Sequence, residues 1–204
     1  MSIADYVVNF TLAVVLIVGA YQFYFLPQRK PFRSPRLLLT QIDNLIPFHP
    51  EWVWVYSGLY YPVIIALIFT VTSFEQFNKI AFSFLSLLLM QMACFYLFPI
   101  RTPSSWREFG EKKNLSARFL KFVYDFDAPT NCFPSMHVSV ATLTAIHLAE
   151  NMAPVWGQCA VLSYAFPILI GLSAIFTKQH YIIDLPAGAA LGYANYILFK
   201  IYGV

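Results

Sequence analysis

The sequence predicts an all-α integral-membrane bundle of six transmembrane helices, with a short interfacial helix in the loop between the third and fourth. Three observations predict it. The composition leaves too little polar surface for a soluble fold: 59% of the 204 residues are hydrophobic and only 11% are charged, against about a quarter charged in an ordinary soluble domain. Mean hydropathy is correspondingly high, at +0.62. The apolar residues are also gathered into runs of about 20, the length that crosses a hydrocarbon core, separated by prolines and polar loops.

Residues 6–26 form the first run, expected to end at Pro27 because the basic, proline-containing stretch 28–36 cannot continue in lipid. Residues 43–50 hold two prolines and read as a surface turn. The second run, 52–71, opens with Trp52, Trp54 and Tyr56, an aromatic belt at headgroup level. A short polar turn at 73–78 leads into the third run, 80–100, with Pro99 and Pro103 at its exit. The loop 101–134 is the longest and most charged. Within it, Asn114 is placed to cap a helix over 115–126. Leu115, Phe119, Phe122 and Phe126 recur there at spacings of three and four, with Arg118, Lys121 and Asp125 between them. That pattern fits an interfacial amphipathic helix, or a loop helix packed on its own protein. The fourth run, 135–152, is short and holds His137, His147 and Glu150. The fifth is 155–176. The sixth, 181–202, carries Gly188, Ala189, Ala190 and Gly192, small residues that permit close helix contact. With no internal repeat and no linker, residues 1–204 read as one domain.

A net charge of +3 and the lack of a basic run interleaved with aromatics argue against nucleic acid as a partner. Cys94, Cys132 and Cys159 form no Cys-x-x-Cys pair, so neither a disulfide framework nor a zinc site is expected. A cleaved signal peptide is not expected either, because the first apolar run is too long and has no basic residue before it. Six crossings place the loops after the first, third and fifth runs on one side of the bilayer. That side carries Arg29, Lys30, Arg33, Arg36, Arg101, Arg107, Lys112, Lys113, Arg118, Lys121 and Lys178, against Lys79 and Lys200 on the other. The excess of Lys and Arg puts the first side in the cytoplasm.

The same side collects the reactive residues. His137 and His180 each sit where a polar loop meets an apolar run, and ionisable groups at such places are functional by default. His180 and Asp184 are four apart, on one face if the segment is helical. A carboxylate beside an imidazole fixes its tautomer, the arrangement of an activated histidine nucleophile. Lys178 and Arg101 bring cations to this side. Ser135 precedes His137 at a helix start, whose free N–H groups suit an anion, and its hydroxyl is a further donor. Together these make a phosphate site: one histidine attacks phosphorus, the other protonates the leaving oxygen, and the cations hold the phosphoryl oxygens. Each feature has a plainer reading, since a lone His-x-x-x-Asp is commonly structural and Arg101 and Lys178 can snorkel to headgroups. Their collection on one face of a membrane bundle decides for function. His147 lies ten residues after His137, turned well away from it, and reads as a polar contact inside the bundle, like Gln91.

Pro134-Ser135-Met136-His137, followed by Ser173 and then His180 and Asp184, resembles the paired motifs of the type 2 phosphatidic acid phosphatase superfamily. These are integral-membrane lipid phosphatases and phosphotransferases, and the resemblance covers roughly residues 40–200. It implies a six-helix enzyme with no metal and no cofactor, acting on a lipid phosphate within the bilayer. His180 would form a phosphohistidine, Asp184 would orient it, and His137 would serve as general acid and then as base for water. Two departures stand out. The family's arginine after the serine is Ala174 here, with Lys178 the candidate to replace its charge. The family's first motif is not present as such, and Arg101, in Phe-Pro-Ile-Arg-Thr-Pro, is the candidate phosphate ligand, with Arg107 in reserve. The departures are similar to the branch containing inositol phosphorylceramide and sphingomyelin synthases, so water and a lipid or polyol hydroxyl both stand as acceptors. The expected activity is a lipid phosphatase, with headgroup transfer the alternative. A small proton-coupled transporter would place its ionisable groups near mid-membrane, whereas here they cluster with cations at helix ends.

Overall fold

The computed structural model describes residues 1–108 and 114–202; Lys112 and Lys113, counted above on the basic side, lie outside them. The architecture is all-α apart from one short ladder. Helix α1 (Ile3–Arg29) starts at a capping box, in which Ser2 and Asp5 each bond the other's backbone N–H. It runs through Pro27, which was expected to end it. Pro27 lies in the last turn, where its missing N–H removes a single hydrogen bond. Val7, Val15, Val18 and Phe23 face outward, as on a helix that meets lipid.

A two-residue strand β1 (Arg36–Leu37) and the short α2 (Gln41–Leu45) follow. The second apolar run, Pro50–Thr70, is helical throughout but irregular. It passes from a 3₁₀ turn through a π-helical segment, Trp54–Leu59, into α3 (Tyr60–Ala66) and a last 3₁₀ turn. Helix α4 (Phe74–Leu97) begins inside the stretch expected to be a polar turn, because Ser73 caps it by accepting from Gln76 N at 3.1 Å. Strand β2 (Ile100–Arg101) then pairs in parallel with β1, Leu37 opposite Arg101. Helix α5 (Leu115–Phe126) has the expected Asn114 cap, whose side chain accepts from Ala117 N at 2.8 Å.

Helix α6 (Met136–Trp156) is the centre of the bundle, packing against α3, α4, α7 and α8. Ala141 to His147 are buried without interruption, as on a helix surrounded by others. The chain reverses at Gly157, whose φ of +55° suits glycine. A 3₁₀ segment, Gly157–Tyr164, leads into α7 (Ala165–Phe176). Ala141 packs with Phe166 and Ile170, and Val138 lies beside Gly171, so α6 and α7 form an antiparallel hairpin. Helix α8 (Asp184–Tyr202) closes the bundle against α6 and α4.

Among the described residues, four runs are long and apolar enough to cross a membrane, by length and composition, rather than six: Ile3–Arg29, Pro50–Thr70, Phe74–Leu97 and Met136–Phe176. The expected fourth and fifth runs are joined in the last of these, 41 residues long. Straight, it would reach about 60 Å, twice the hydrocarbon thickness, and the reversal at Gly157 divides it. The expected sixth, α8, is less apolar because it carries Asp184, Asn195 and Lys200.

Helix α5 packs on its own protein, the second of the two expectations made for it. Ala117, Leu120 and Tyr124 pack inward, the latter two with Val53, while Leu115, Phe122 and Phe126 of the expected stripe stay exposed.

Candidate active site

Two helix starts and two loops meet at one end of the bundle. Ser135 is the N-cap of α6: its hydroxyl oxygen accepts from Val138 N at 3.4 Å and its own N–H donates to the Asp184 carbonyl at 3.1 Å. The serine is fully buried and works as a cap and as a tie to α8. Gln91 of α4 holds the same turn, donating to the Pro134 carbonyl at 2.8 Å and accepting from Ser139 Oγ at 3.0 Å. Gly188 and Gly192 let α8 lie directly on α6, since a Cβ at Gly188 would stand 2.5 Å from the Ser135 carbonyl oxygen. The small residues expected to permit close contact thus include the two that the packing requires.

His180 lies in the loop between α7 and α8, folded back by hydrogen bonds from Gln179 N and His180 N to the Ala174 carbonyl. Its Nδ1 is 2.9 Å from the Cys132 carbonyl oxygen and 3.1 Å from Asp184 Oδ2. Both neighbours are acceptors, so Nδ1 carries the proton and Nε2 keeps a free lone pair. The His180–Asp184 contact is made across a turn, not along a helix face: Asp184 opens α8, and its Oδ2 also accepts from Tyr181 N at 2.9 Å. Both residues are buried, Asp184 completely.

His137, the second residue of α6, faces this histidine with ring centroids 6.2 Å apart. One phosphoryl group can reach both. Tyr56 stacks on His137 at 4.3 Å and meets its Nδ1 through the hydroxyl at 3.1 Å, and Tyr60 flanks it at 4.7 Å. The π-helical turn carries Tyr56 and delivers Tyr60 at its end, a local irregularity of the kind that recurs at functional sites.

The cations divide. The Arg101 guanidinium has no hydrogen-bond partner among the described residues; the backbone carbonyl of Arg101 accepts from Tyr181 Oη at 2.7 Å, which places β2 beside the His180 loop. Arg107 is bonded through both terminal nitrogens, donating to the Tyr124 and Asp127 carbonyls and to Gln179 Oε1 at 3.0 Å, with its guanidinium over the Tyr124 ring, while its buried Nε has no partner among the described residues. Lys178 donates to the Asp43 carbonyl at 2.9 Å and lies 4.7 Å from the Trp106 ring centroid. Burial holds its ammonium below the ordinary lysine range, and the nearby Asp43 carboxylate opposes the shift. Ala174, in the position of the family arginine, is fully buried. His147 bonds Ser83 Oγ at 2.9 Å inside the bundle, as its position on α6 foretold.

From the His137 end, a cavity of about 490 Å³ runs down between α1, α3, α4 and α6. Its walls are largely apolar (Ile17, Ile64, Phe84 and Leu88 among them), and His137, Tyr56 and Asp127 also line it.

Sequence reasoning missed Tyr56 and Tyr60 as neighbours of His137, and nothing local marks them. It also missed Asp43, which accepts from Ile182 N at 2.8 Å and holds the His180 loop. The Thr-x-x-Asp spacing at Thr40–Asp43 was the available signal, because it forms a capping box. Asp127 was visible only as an acidic residue amid aromatic ones.

Comparison with curated proteins and with solved structures found no match. The model of one family, the PAP2 superfamily, matches residues 48–198 and so spans both histidines and Asp184. Its members are phosphatases or related phosphotransferases, and the apolar helices fit a membrane protein. With three quarters of its length matched, the chain belongs to the PAP2 superfamily.

Proposed function

We propose that this protein is a metal-independent lipid phosphatase that cleaves a phosphomonoester or pyrophosphate on a membrane lipid through a phosphohistidine at His180. The observation that carries this is the pair of acceptors on His180 Nδ1, which leaves Nε2 as the nucleophile. Nε2 attacks phosphorus, the bond to the lipid oxygen breaks, and His137 gives that oxygen a proton. Water then attacks the phosphohistidine, His137 takes its proton, and the P–N bond breaks with its electron pair returning to Nε2. Asp184 keeps Nδ1 protonated and stabilises the positive charge that develops on the ring.

Arg101 is the better candidate for the phosphoryl oxygens, because its guanidinium is uncommitted, with Lys178 supplying a second cation. Arg107 holds Gln179, next to the nucleophile. The lipid tail lies in the apolar cavity, whose volume suits a small ligand site. Phosphatidic acid, a phosphatidylglycerol phosphate and a prenyl diphosphate all fit this description. The Lys and Arg count favours the cytoplasmic side for the site.

The test is phosphate release from these lipids by the purified protein in detergent with EDTA present. Release that disappears in His180→Ala supports the reading; release that survives in that variant overturns it.

A further inference from the structure

We propose that Asp127, with Tyr24 and Gln28, is a hydroxyl-binding site at the headgroup end of the apolar cavity, and that it holds the hydroxyl of a chain-bearing alcohol within reach of His137. This rests on the reading of His137 and His180 given above.

Asp127 is the C-cap of α5 and the one carboxylate among the described residues lining the cavity. Its Oδ1 accepts from Gln28 Nε2 at 2.7 Å, and both oxygens lie 3.1 Å from the Tyr24 hydroxyl. That hydroxyl has one proton to give, so two donors serve a group able to accept about four hydrogen bonds. It makes no direct ion pair among the described residues, since Arg107 donates to the Asp127 main-chain carbonyl, although the Arg107 guanidinium and His180 lie near enough to favour its charge. Burial pushes its carboxyl above the ordinary range. An asparagine could keep the bonds to Tyr24 and Gln28 without placing a carboxylate against an apolar space. The carboxylate therefore answers a need beyond anchoring α1, namely spare acceptor capacity facing the cavity.

The cavity selects the rest of the ligand. Its walls suit a hydrocarbon chain, and the group at its end must donate a hydrogen to a carboxylate. Asp127, Tyr24 and His137 line the same cavity, as does Tyr56, whose hydroxyl meets His137 Nδ1 at 3.1 Å. Two alcohols share this chemistry. One is the alcohol freed when lipid phosphate is cleaved. The other is an acceptor that replaces water: its oxygen attacks the phosphorus on His180, the P–N bond breaks with its electron pair returning to Nε2, an O–P bond forms, and the hydroxyl proton passes to His137. The second step is the reverse of the first with a different chain, so one site serves both.

Binding of a tritiated long-chain primary alkanol to the full-length protein in lipid nanodiscs tests this without turnover, with the matched alkane and alkylamine as competitors. The alkanol should bind about tenfold tighter than the alkane, the contribution of one buried hydrogen bond to a charged group. Asp127→Asn should remove most of that difference, and Tyr24→Phe should reduce it, deciding the matter if the first variant does not fold. Equal binding of alkanol and alkane, or a difference unchanged in the folded variants, overturns the proposal; so does an alkylamine that displaces the alkanol more strongly than unlabelled alkanol does. During turnover, formation of an alkyl phosphate identifies the ligand as an acceptor, and inhibition of phosphate release alone identifies it as the departing alcohol. Phosphate release that persists in His180→Ala would sink the phosphohistidine reading and leave the binding result standing.

Discussion

Gly188 lies one turn beyond Asp184 on α8, against the N-terminal turn of α6 that carries Ser135 and His137. In Gly188→Ala the new Cβ would stand 2.5 Å from the Ser135 carbonyl oxygen and 3.2 Å from Val138 Cβ. An ordinary carbon–oxygen contact is about 3.3–3.6 Å, so the shortfall is roughly 0.8–1.1 Å. The obstructing atom is backbone, in a turn already held by Gln91 and Ser139, and cannot rotate aside. The helices must separate, at a cost of about 1–3 kcal/mol for an overpacked interface. The separation also moves Asp184 and the His180 loop relative to His137. A misplacement near 1 Å lowers catalysis by about 10²-fold. Thermal unfolding in detergent and phosphate release measure the two effects. Gly19→Ala is the internal control, since a Cβ there meets nothing within 4 Å, and helix propensity favours alanine by about 1 kcal/mol. A Gly188→Ala protein with the stability and rate of the parent would refute the argument from close helix contact.

Asp184→Asn removes the acceptor charge on His180 Nδ1 and should slow phosphate release by about 10²–10⁴-fold; an unchanged rate would remove Asp184 from the site. Arg101→Ala should weaken turnover while leaving the unfolding temperature near that of the parent, whereas Arg107→Ala should lower the unfolding temperature, because its guanidinium ties Tyr124, Asp127 and Gln179 together. The reverse pattern would exchange their roles. Asp127 should leave a pH signature in stability. Its folded pKa is raised, so the folded state binds more protons than the unfolded state between the ordinary carboxylate value and the raised one. That contribution is full at lower pH and is lost as pH rises through the folded value. Unfolding curves across the acidic range should show the loss in the parent and not in Asp127→Asn; identical profiles would contradict it.

Much of this was written locally. Apolar runs with polar junctions announce the helices because lipid leaves a backbone no other way to satisfy its hydrogen bonds. Asn114 marks the start of α5 because a cap acts within three residues. His137, His180 and Asp184 were legible as a group because topology alone brings alternate loops to one face. What the sequence could not decide are matters of distance and direction across the bundle. The tautomer of His180 depends on the Cys132 carbonyl, 48 residues away. The division of the cations, with Arg107 bonded into the frame and Arg101 uncommitted, follows from packing against α5 and the His180 loop, and the flanking of His137 by Tyr56 and Tyr60 follows from a π-helical turn. The sequence by itself determined which chemical groups are present and on which end of the bundle they gather, because those follow from periodicity and chain reversal. Only the tertiary structure decided which His180 nitrogen faces the acceptors, which arginine is uncommitted and what carboxylate faces the cavity, because hydrogen bonds act over about 3 Å between residues that the chain holds far apart.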